Sequence, residues 1–87
     1  MILEKVPYLP TCAFGTCIWG DNYSVSANTD RVITFNVDTT GKAQFIPIID
    51  AEGVNAYVEG ITSTTVSVRL SNTTSTGKTG HCLLLMI

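Results

Sequence analysis

The side chains best able to do chemistry in this 87-residue chain are its single histidine and its three cysteines. Together, Cys12, Cys17, His81 and Cys82 have the ligand types of a Cys3His zinc site. His81 and Cys82 are adjacent, however, and adjacent side chains of a strand point to opposite faces, which makes joint ligation awkward. We therefore interpret the cysteines as small, buried, free thiols and predict no metal site, although Cys12 and Cys17 could close a small loop if oxidised.

The triplet Gly77-Lys78-Thr79 matches the end of a phosphate-binding loop. That motif needs a glycine five residues before Gly77, where this chain has Asn72, and it needs a helix afterwards so that backbone N–H groups face the phosphate. A strand pattern follows here instead. The sequence therefore predicts no nucleotide binding, and no other cofactor is expected.

The carboxylates do not form a catalytic pattern either. Most of them lie in predicted turns, where aspartate usually bonds its own backbone. Asp50 and Glu52 flank one turn, but a calcium site normally gathers six to eight oxygens. No serine or cysteine lies in a nucleophile-elbow motif, and nothing beyond its presence supports a triad around His81. We predict that the chain is not an enzyme.

Short strand patterns separated by turn residues run along the whole chain. Apolar and polar residues alternate most clearly in residues 31–37, 54–59 and 64–70. Further strands are predicted at residues 2–8, 11–20, 23–27 and 43–49, with turns that include Asp21-Asn22 and a ten-residue polar loop at 71–80. Pro47 places its strand at an edge or a bulge. The apolar run His81–Ile87 predicts a central strand whose two faces are covered by the rest of the domain or by a second copy.

These elements indicate one all-β domain over residues 1–87, because strand patterns recur about every ten residues and no helical pattern occurs. We expect an antiparallel β-sandwich or barrel of seven to eight short strands. Residues 31–87 form the expected sandwich core, and residues 1–20 form a docking or edge segment.

The composition limits the expected partners. A net charge of −2 without a basic stripe argues against nucleic acid as the main ligand. The absence of a polybasic or amphipathic segment argues against a membrane surface. No secretory signal pattern is found, so we expect synthesis and retention in a cytosol. Only 14% of the residues are charged, which favours a surface covered by other copies of the chain.

The second half of the chain carries a family resemblance in three runs: Val32-Ile-Thr-Phe-Asn-Val, Gln44-Phe-Ile-Pro-Ile-Ile, and the stretch from Ala56 to Leu70 with Gly60-Ile61-Thr62 before its last strand. With the final apolar strand, residues 31–87 resemble the small β-sandwich domains of bacteriophage tail fibres and other virion appendages, and are similar in outline to the H-type lectin-like sandwich. The resemblance implies a virion structural or receptor-binding module, often trimeric, with loops that face the host. Because the chain has no stalk, a protein that decorates the capsid or tail fits better than a whole fibre.

The leading hypothesis is thus a non-enzymatic phage virion protein, made in the host cytoplasm, whose partners are its own copies, as a homotrimer or higher, and other virion proteins. Membrane insertion is not expected. The expected interface residues are Trp19, Phe14, Leu83, Leu85 and Ile87. The alternative is a small glycan-binding module that takes a host-surface glycan, and an excised domain of a larger extracellular protein is a third hypothesis. The expected ligand-facing loop residues are Asp38, Tyr57, Asn72, Thr74 and Lys78.

Overall fold

The computed structural model describes residues 11–13 and 15–87, and this part of the chain is entirely β. The prediction of an all-β antiparallel fold is confirmed. The strands are β1 (Thr11–Ala13), β2 (Thr16–Val25), β3 (Asp30–Asn36), β4 (Phe45–Ile49), β5 (Val54–Ile61), β6 (Thr65–Asn72) and β7 (Lys78–Met86). The described residues contain six strands of five or more residues, fewer than the seven to eight that were predicted. A seventh, β1, is a pairing of only three residues. The strand predicted at residues 2–8 lies outside the described residues.

The strands form two antiparallel sheets around one core. The first has the order β1-β2-β7-β4 and the second has the order β3-β6-β5. β7 is central in the first sheet because it pairs with β2 on one side and with β4 on the other. β1 and β2 both belong to this sheet, so the two-sheet structure includes residues ahead of residue 31. Pro47 lies in the edge strand β4, as its missing N–H predicts.

The core is built from the alternate residues of each strand. β6 and β7 contribute the most buried side chains, and Phe35 of β3 joins them. Burial of a side chain of this size stabilises the fold by about 1.5–3 kcal/mol. The period-2 alternation therefore determines which face of each strand turns inward. The fully buried apolar side chains of the two central strands are Val66, Val68, Leu70, Cys82, Leu84 and Met86.

The closing strand is central, as predicted, and the chain itself buries only one of its two faces. Cys82, Leu84 and Met86 face the core, whereas Leu83 is 39% exposed and Leu85 is half-buried. The second sheet covers only one face of the first sheet. The other face of β7 consequently remains open although its side chains are apolar.

One predicted turn is absent, and one predicted loop is shorter than the sequence indicated. Asp21-Asn22 is not a turn, because β2 continues through both residues and pairs them with β7. The polar segment at 71–80 is not a ten-residue loop. β6 extends to Asn72 and β7 begins at Lys78, which leaves a connection of five residues.

Cys12 and Cys17 form a disulfide across the β1–β2 pair, where the two residues are directly opposite each other with a Cα–Cα distance of 4.0 Å. Gly15, with φ of 80°, supplies the positive φ that the tight hairpin turn needs. The interpretation as free thiols is therefore wrong for these two residues. It is confirmed for Cys82, which is a buried free thiol.

Candidate functional site: an aliphatic sheet face

The outer face of the four-stranded sheet carries a continuous patch of aliphatic side chains. Five of its six members are between 39% and 48% exposed, and Leu85 is half-buried. Soluble monomers rarely expose large contiguous apolar patches, so such a surface commonly marks an interaction site. We call this surface the aliphatic face, and its residues are Ile18, Ile46, Ile48, Leu83, Leu85 and Ile87.

The strand register places these side chains in rows across three strands. Leu85 of β7 lies between Ile18 of β2 and Ile46 of β4. Antiparallel neighbours directly opposite each other have Cβ atoms about 4.5–5.5 Å apart, so the three side chains form one contiguous row. The pairing of β7 with both neighbours thus creates the patch from residues that are far apart in sequence.

The second row contains a glycine at the β2 position, where the first row has an isoleucine. Leu83 lies between Ile48 and Gly20, and a Cβ built on Gly20 would come within 3.2 Å of the Leu83 side chain. Leu83 therefore occupies the space that the glycine leaves open. The row is apolar across all three strands, and Leu83 covers its β2 position.

The aliphatic face has an uncharged interior and polar neighbours at both ends. Beyond the second row, Asn22 of β2 pairs with His81 of β7. At the other end, the Ile87 N–H donates to the Gln44 carbonyl oxygen at 3.0 Å. Of the residues that the structure describes, none in the two rows is acidic or basic. Covering this face therefore requires no desolvation of a charge.

The expected interface residues divide into three groups. Leu83, Leu85 and Ile87 lie together on the aliphatic face, as the interface hypothesis requires. Trp19 does not lie there, because it is partly buried and packs against the core from the opposite side of the sheet. Phe14 lies outside the described residues.

Sequence reasoning missed the three isoleucines of the aliphatic face, Ile18, Ile46 and Ile48. Ile46 and Ile48 alternate with Pro47, and that alternation was a signal that they share one side of the strand. The signal was obscured because the run from Phe45 to Ile49 is apolar throughout.

The five expected ligand-facing residues do not share one site, although Asn72, Thr74 and Lys78 lie at or beside the β6–β7 connection. Asp38 follows β3, at the end of the three-stranded sheet where β6 begins, and Asn72 lies at the opposite end of β6. Tyr57 is in the middle of β5 rather than in a loop. Lys78 begins β7 in the other sheet. These positions do not define a common binding site.

Asp38 and Thr74 are both engaged in local turn structure. The Asp38 carboxylate accepts a hydrogen bond from the Thr40 N–H at 3.0 Å, and this backbone bond lowers the pKa of Asp38. The Thr74 hydroxyl donates to Asn72 Oδ1 at 2.6 Å and lies 2.8 Å from the Thr76 carbonyl oxygen. Both side chains thus stabilise the loops that carry them.

Asn72 does not face a ligand, because it is only 2% exposed and its amide is used within the protein. Its Nδ2 donates to the carbonyl oxygens of Val25 and Ser26, each at 3.2 Å, and of Thr76 at 2.8 Å. Its Oδ1 accepts from the Thr74 N–H at 2.9 Å. The residue therefore fastens the β6–β7 connection to the end of β2.

The outer face of the three-stranded sheet is chemically different, and we call it the polar face. At its centre, Arg69 pairs in register with Tyr57, which is 52% exposed. Arg69 Nε donates to Glu59 Oε1 at 2.6 Å, and Nη1 lies 3.5 Å from Asp30 Oδ2. The bond to Glu59 raises the pKa of Arg69. The polar face comprises Asp30, Thr34, Asn55, Tyr57, Glu59, Ser67, Arg69 and Ser71, and Val32, which is 38% exposed, lies among them opposite Arg69.

The buried titratable groups of the four-stranded sheet are held in their neutral forms. Burial raises the pKa of the Cys82 thiol to about 11, so it is protonated at neutral pH and is a poor nucleophile. Burial and a hydrogen bond of 3.2 Å to Asp50 raise the pKa of Tyr23. Asp50 also accepts from the His81 N–H at 3.3 Å. This group of residues ties the end of β4 to β2 and β7.

Within residues 11–13 and 15–87, no three His, Cys, Asp or Glu side chains gather in a way that could hold a metal ion, and no pocket opens. The same part of the chain has no helix of the length and apolarity needed to cross a membrane.

Comparisons with protein-family models, with curated proteins and with solved structures found no match. The resemblance to phage tail-fibre domains therefore stays a prediction from the sequence. The class that the structure itself defines is a small protein of two antiparallel sheets, one with an open aliphatic face and the other with an open polar face.

Proposed function

We propose that this chain is a non-enzymatic structural protein of a phage virion, an oligomeric β domain that decorates the capsid or tail. The observation that carries the proposal is the division of its surface between the aliphatic face and the polar face. A subunit of a larger assembly needs one surface that loses water on assembly and another that stays hydrated. The virion setting itself comes from the sequence resemblance of residues 31–87.

The aliphatic face has enough apolar surface to drive assembly. Its six side chains expose roughly 400 Å² of apolar surface, which is about the largest patch that a typical monomer carries. Removing that area from water is worth about 10 kcal/mol for each chain before the costs of association. Those costs are about 4–15 kcal/mol for a complex, so the patch favours an assembly stabilised by many contacts or by several copies.

The polar face is suited to stay outside the contact that the aliphatic face makes. Arg69 is held between Glu59 and Asp30, so its positive charge is fully paired and its guanidinium has a fixed position. Hydroxyl groups of Thr34 and Ser67 lie 3.4 Å apart on the same surface. A face of this kind stays hydrated and keeps the particle soluble.

The proposal is tested by measuring whether the chain co-sediments with phage particles. A tagged copy is expressed during infection, and the particles are separated on a density gradient. We expect the chain to sediment with the particles, and Leu83→Asp on the aliphatic face to release it. Val32→Asp, which places the same charge on the outer face of the three-stranded sheet, is the matched control and should stay bound. A chain found only in the free protein fraction contradicts the proposal.

One observation favours a glycan-binding module as a second candidate. Tyr57 is the most exposed aromatic side chain among the described residues, and it lies beside Arg69 on the polar face. An exposed aromatic ring next to hydrogen-bonding groups is a common platform for a sugar ring. Binding on a glycan array that is lost in Tyr57→Ala supports this function, whereas an array without signal removes it.

A further inference from the structure

We infer that the aliphatic face is covered by a second copy of the same chain, packed face to face about a two-fold axis. This inference rests on the proposed function, because it names the partner of the surface that carries it. A single patch that meets its own copy produces a closed, isologous pair. The assembly therefore contains two copies of the chain, rather than the three that the tail-fibre resemblance implies.

The size of the sheet fits such a pair. β7 has nine residues and the sheet has four strands. The four strands together hold 27 residues, so at about 3.4 Å per residue and 4.8 Å between strands one face measures on the order of 440 Å². Stable interfaces bury about 600–1,000 Å² of accessible surface on each partner. Because side chains make the accessible area larger than the flat outline of the sheet, one whole face approaches the lower end of that range and suits a small interface of moderate affinity.

The chemistry of the face favours a copy of itself over a different partner. The rows of Leu83 and Leu85 have no charge, so two copies meet without repulsion between like charges. The residues at the ends of the rows, Asn22, Gln44 and His81, are polar but are not lysine or arginine. An anionic lipid surface would select for such basic residues around an apolar patch.

The side-chain shape of the aliphatic face also suits sheet-on-sheet packing. Branched side chains on two sheets interdigitate when the sheets pack about 10 Å apart. The Leu83 side chain covers Gly20, whereas Ile48 is the most exposed member of the patch. A projecting isoleucine can pack between the two rows of the second copy.

The pair also gives β7 the environment that its sequence specifies. Its core-facing side chains are fully covered within the chain, and its outward side chains, Leu83 and Leu85, are apolar as well. A second sheet on the outer side buries β7 on both faces. The pair thus has four layers, with the aliphatic faces inside and the polar faces outside.

The experiment measures the mass of the purified, non-reduced chain by sedimentation across about 1 to 100 µM, the range of moderate affinities. We expect twice the chain mass of 9.3 kDa at the upper end. Leu83→Asp should weaken association by about 100-fold, because it buries a carboxylate without a partner. Ile48→Lys on the edge strand is a second test at a site where the fold tolerates the change. Val32→Asp is the matched control and should leave the mass unchanged.

Each other outcome overturns the inference. A chain that stays at its monomer mass at every concentration excludes the pair, and particle binding that still depends on Leu83 then leaves the proposed function intact. A trimer mass, or a mass unaffected by Leu83→Asp and Ile48→Lys, assigns association to another surface. A monomer that binds vesicles of anionic lipid through Leu83 assigns the face to a membrane. Folding of each variant is checked by Trp19 fluorescence, which reports on the core side of the sheet.

Discussion

Replacement of Asn72 should cost more stability than replacement of any other asparagine in the described residues. Asn72→Ala removes a buried amide that bonds three carbonyl oxygens and the N–H and hydroxyl of Thr74. A buried polar group left without a partner costs about 1–3 kcal/mol. The Val25 oxygen is buried, whereas water can reach the other partners in part, so we expect a total loss of about 3 kcal/mol. In a domain of this size that loss lowers the Tm by about 12 °C or more.

The assay is urea unfolding followed by Trp19 fluorescence, at one fixed protein concentration because any association stabilises the folded state. Asn55→Ala is the matched control, since Asn55 is exposed on the polar face and its loss should change stability by less than about 0.5 kcal/mol. Equal losses for the two variants refute the assignment of Asn72 as the residue that fastens the β6–β7 connection.

The isosteric variant Asn72→Asp tests the direction of the hydrogen bonds. It keeps the shape of the side chain but replaces the donating group with an acceptor that faces three carbonyl oxygens. Repulsion and burial raise the pKa of the introduced carboxylate above its unfolded value, so the folded state binds the proton more tightly. The variant should therefore be most stable at low pH and lose stability as the pH rises through the folded pKa. A pH profile parallel to that of the unmodified chain contradicts this hydrogen-bond assignment.

Three further predictions concern the four-stranded sheet. The pKa of Cys82 is raised from 9.0 to about 11, so stability should be constant below about pH 9 and fall as the pH rises to 11. Cys82→Ala should keep only the part of that fall that arises from Tyr23, and an unchanged fall in urea titrations refutes the assignment. Reduction of the β1–β2 disulfide should lower the free energy of unfolding by about 2 kcal/mol, as expected for closure of so short a loop, and identical urea midpoints before and after reduction contradict this. Gly80→Ala should lower the Tm because its Cβ overlaps the Asp50 carboxylate, whereas Gly60→Ala adds a Cβ in open space and should not; equal Tm values for the two disprove the contact.

The second sheet was the part of the fold that the sequence predicted best. Residues 31–37, 54–59 and 64–70 alternate strictly, and β3, β5 and β6 follow them within two residues. In these strands one face is apolar and the other is polar, so the pattern specifies both the strand and its orientation. The outward position of Tyr57 was predicted correctly for that reason.

The first sheet was harder to predict because its pairing overrides local preference. Asp21-Asn22 has the composition of a turn, but nine consecutive pairs with β7 hold it in a strand. Asn72 was placed in a loop because its polar neighbours look solvated, yet its amide is buried by contacts from β2, far away in sequence. Composition of a short segment carries no information on such distant partners.

The disulfide illustrates the same limit. The spacing of Cys12 and Cys17 allows either two thiols or a closed hairpin, and the choice depends on whether the two residues face each other across a pair of strands. Gly15 permits the tight turn that brings them opposite each other. The sequence contained both parts of this feature, but the pairing register that joins them becomes visible only in the fold.

The run from His81 to Ile87 connects the fold with the proposed assembly. An apolar run without alternation is typical of a strand that is covered on both faces. The chain supplies only one cover, since the three-stranded sheet reaches one side of β7. The inward residues form the core, whereas the outward Leu83 and Leu85 add only cross-strand contacts on an open face, each worth about 0.2–1 kcal/mol. Hydroxyl-bearing side chains occupy the corresponding outward positions of β6, at Ser67 and Ser71, in the other sheet. The contrast between the two central strands is the physical reason to seek a partner for β7 outside the chain.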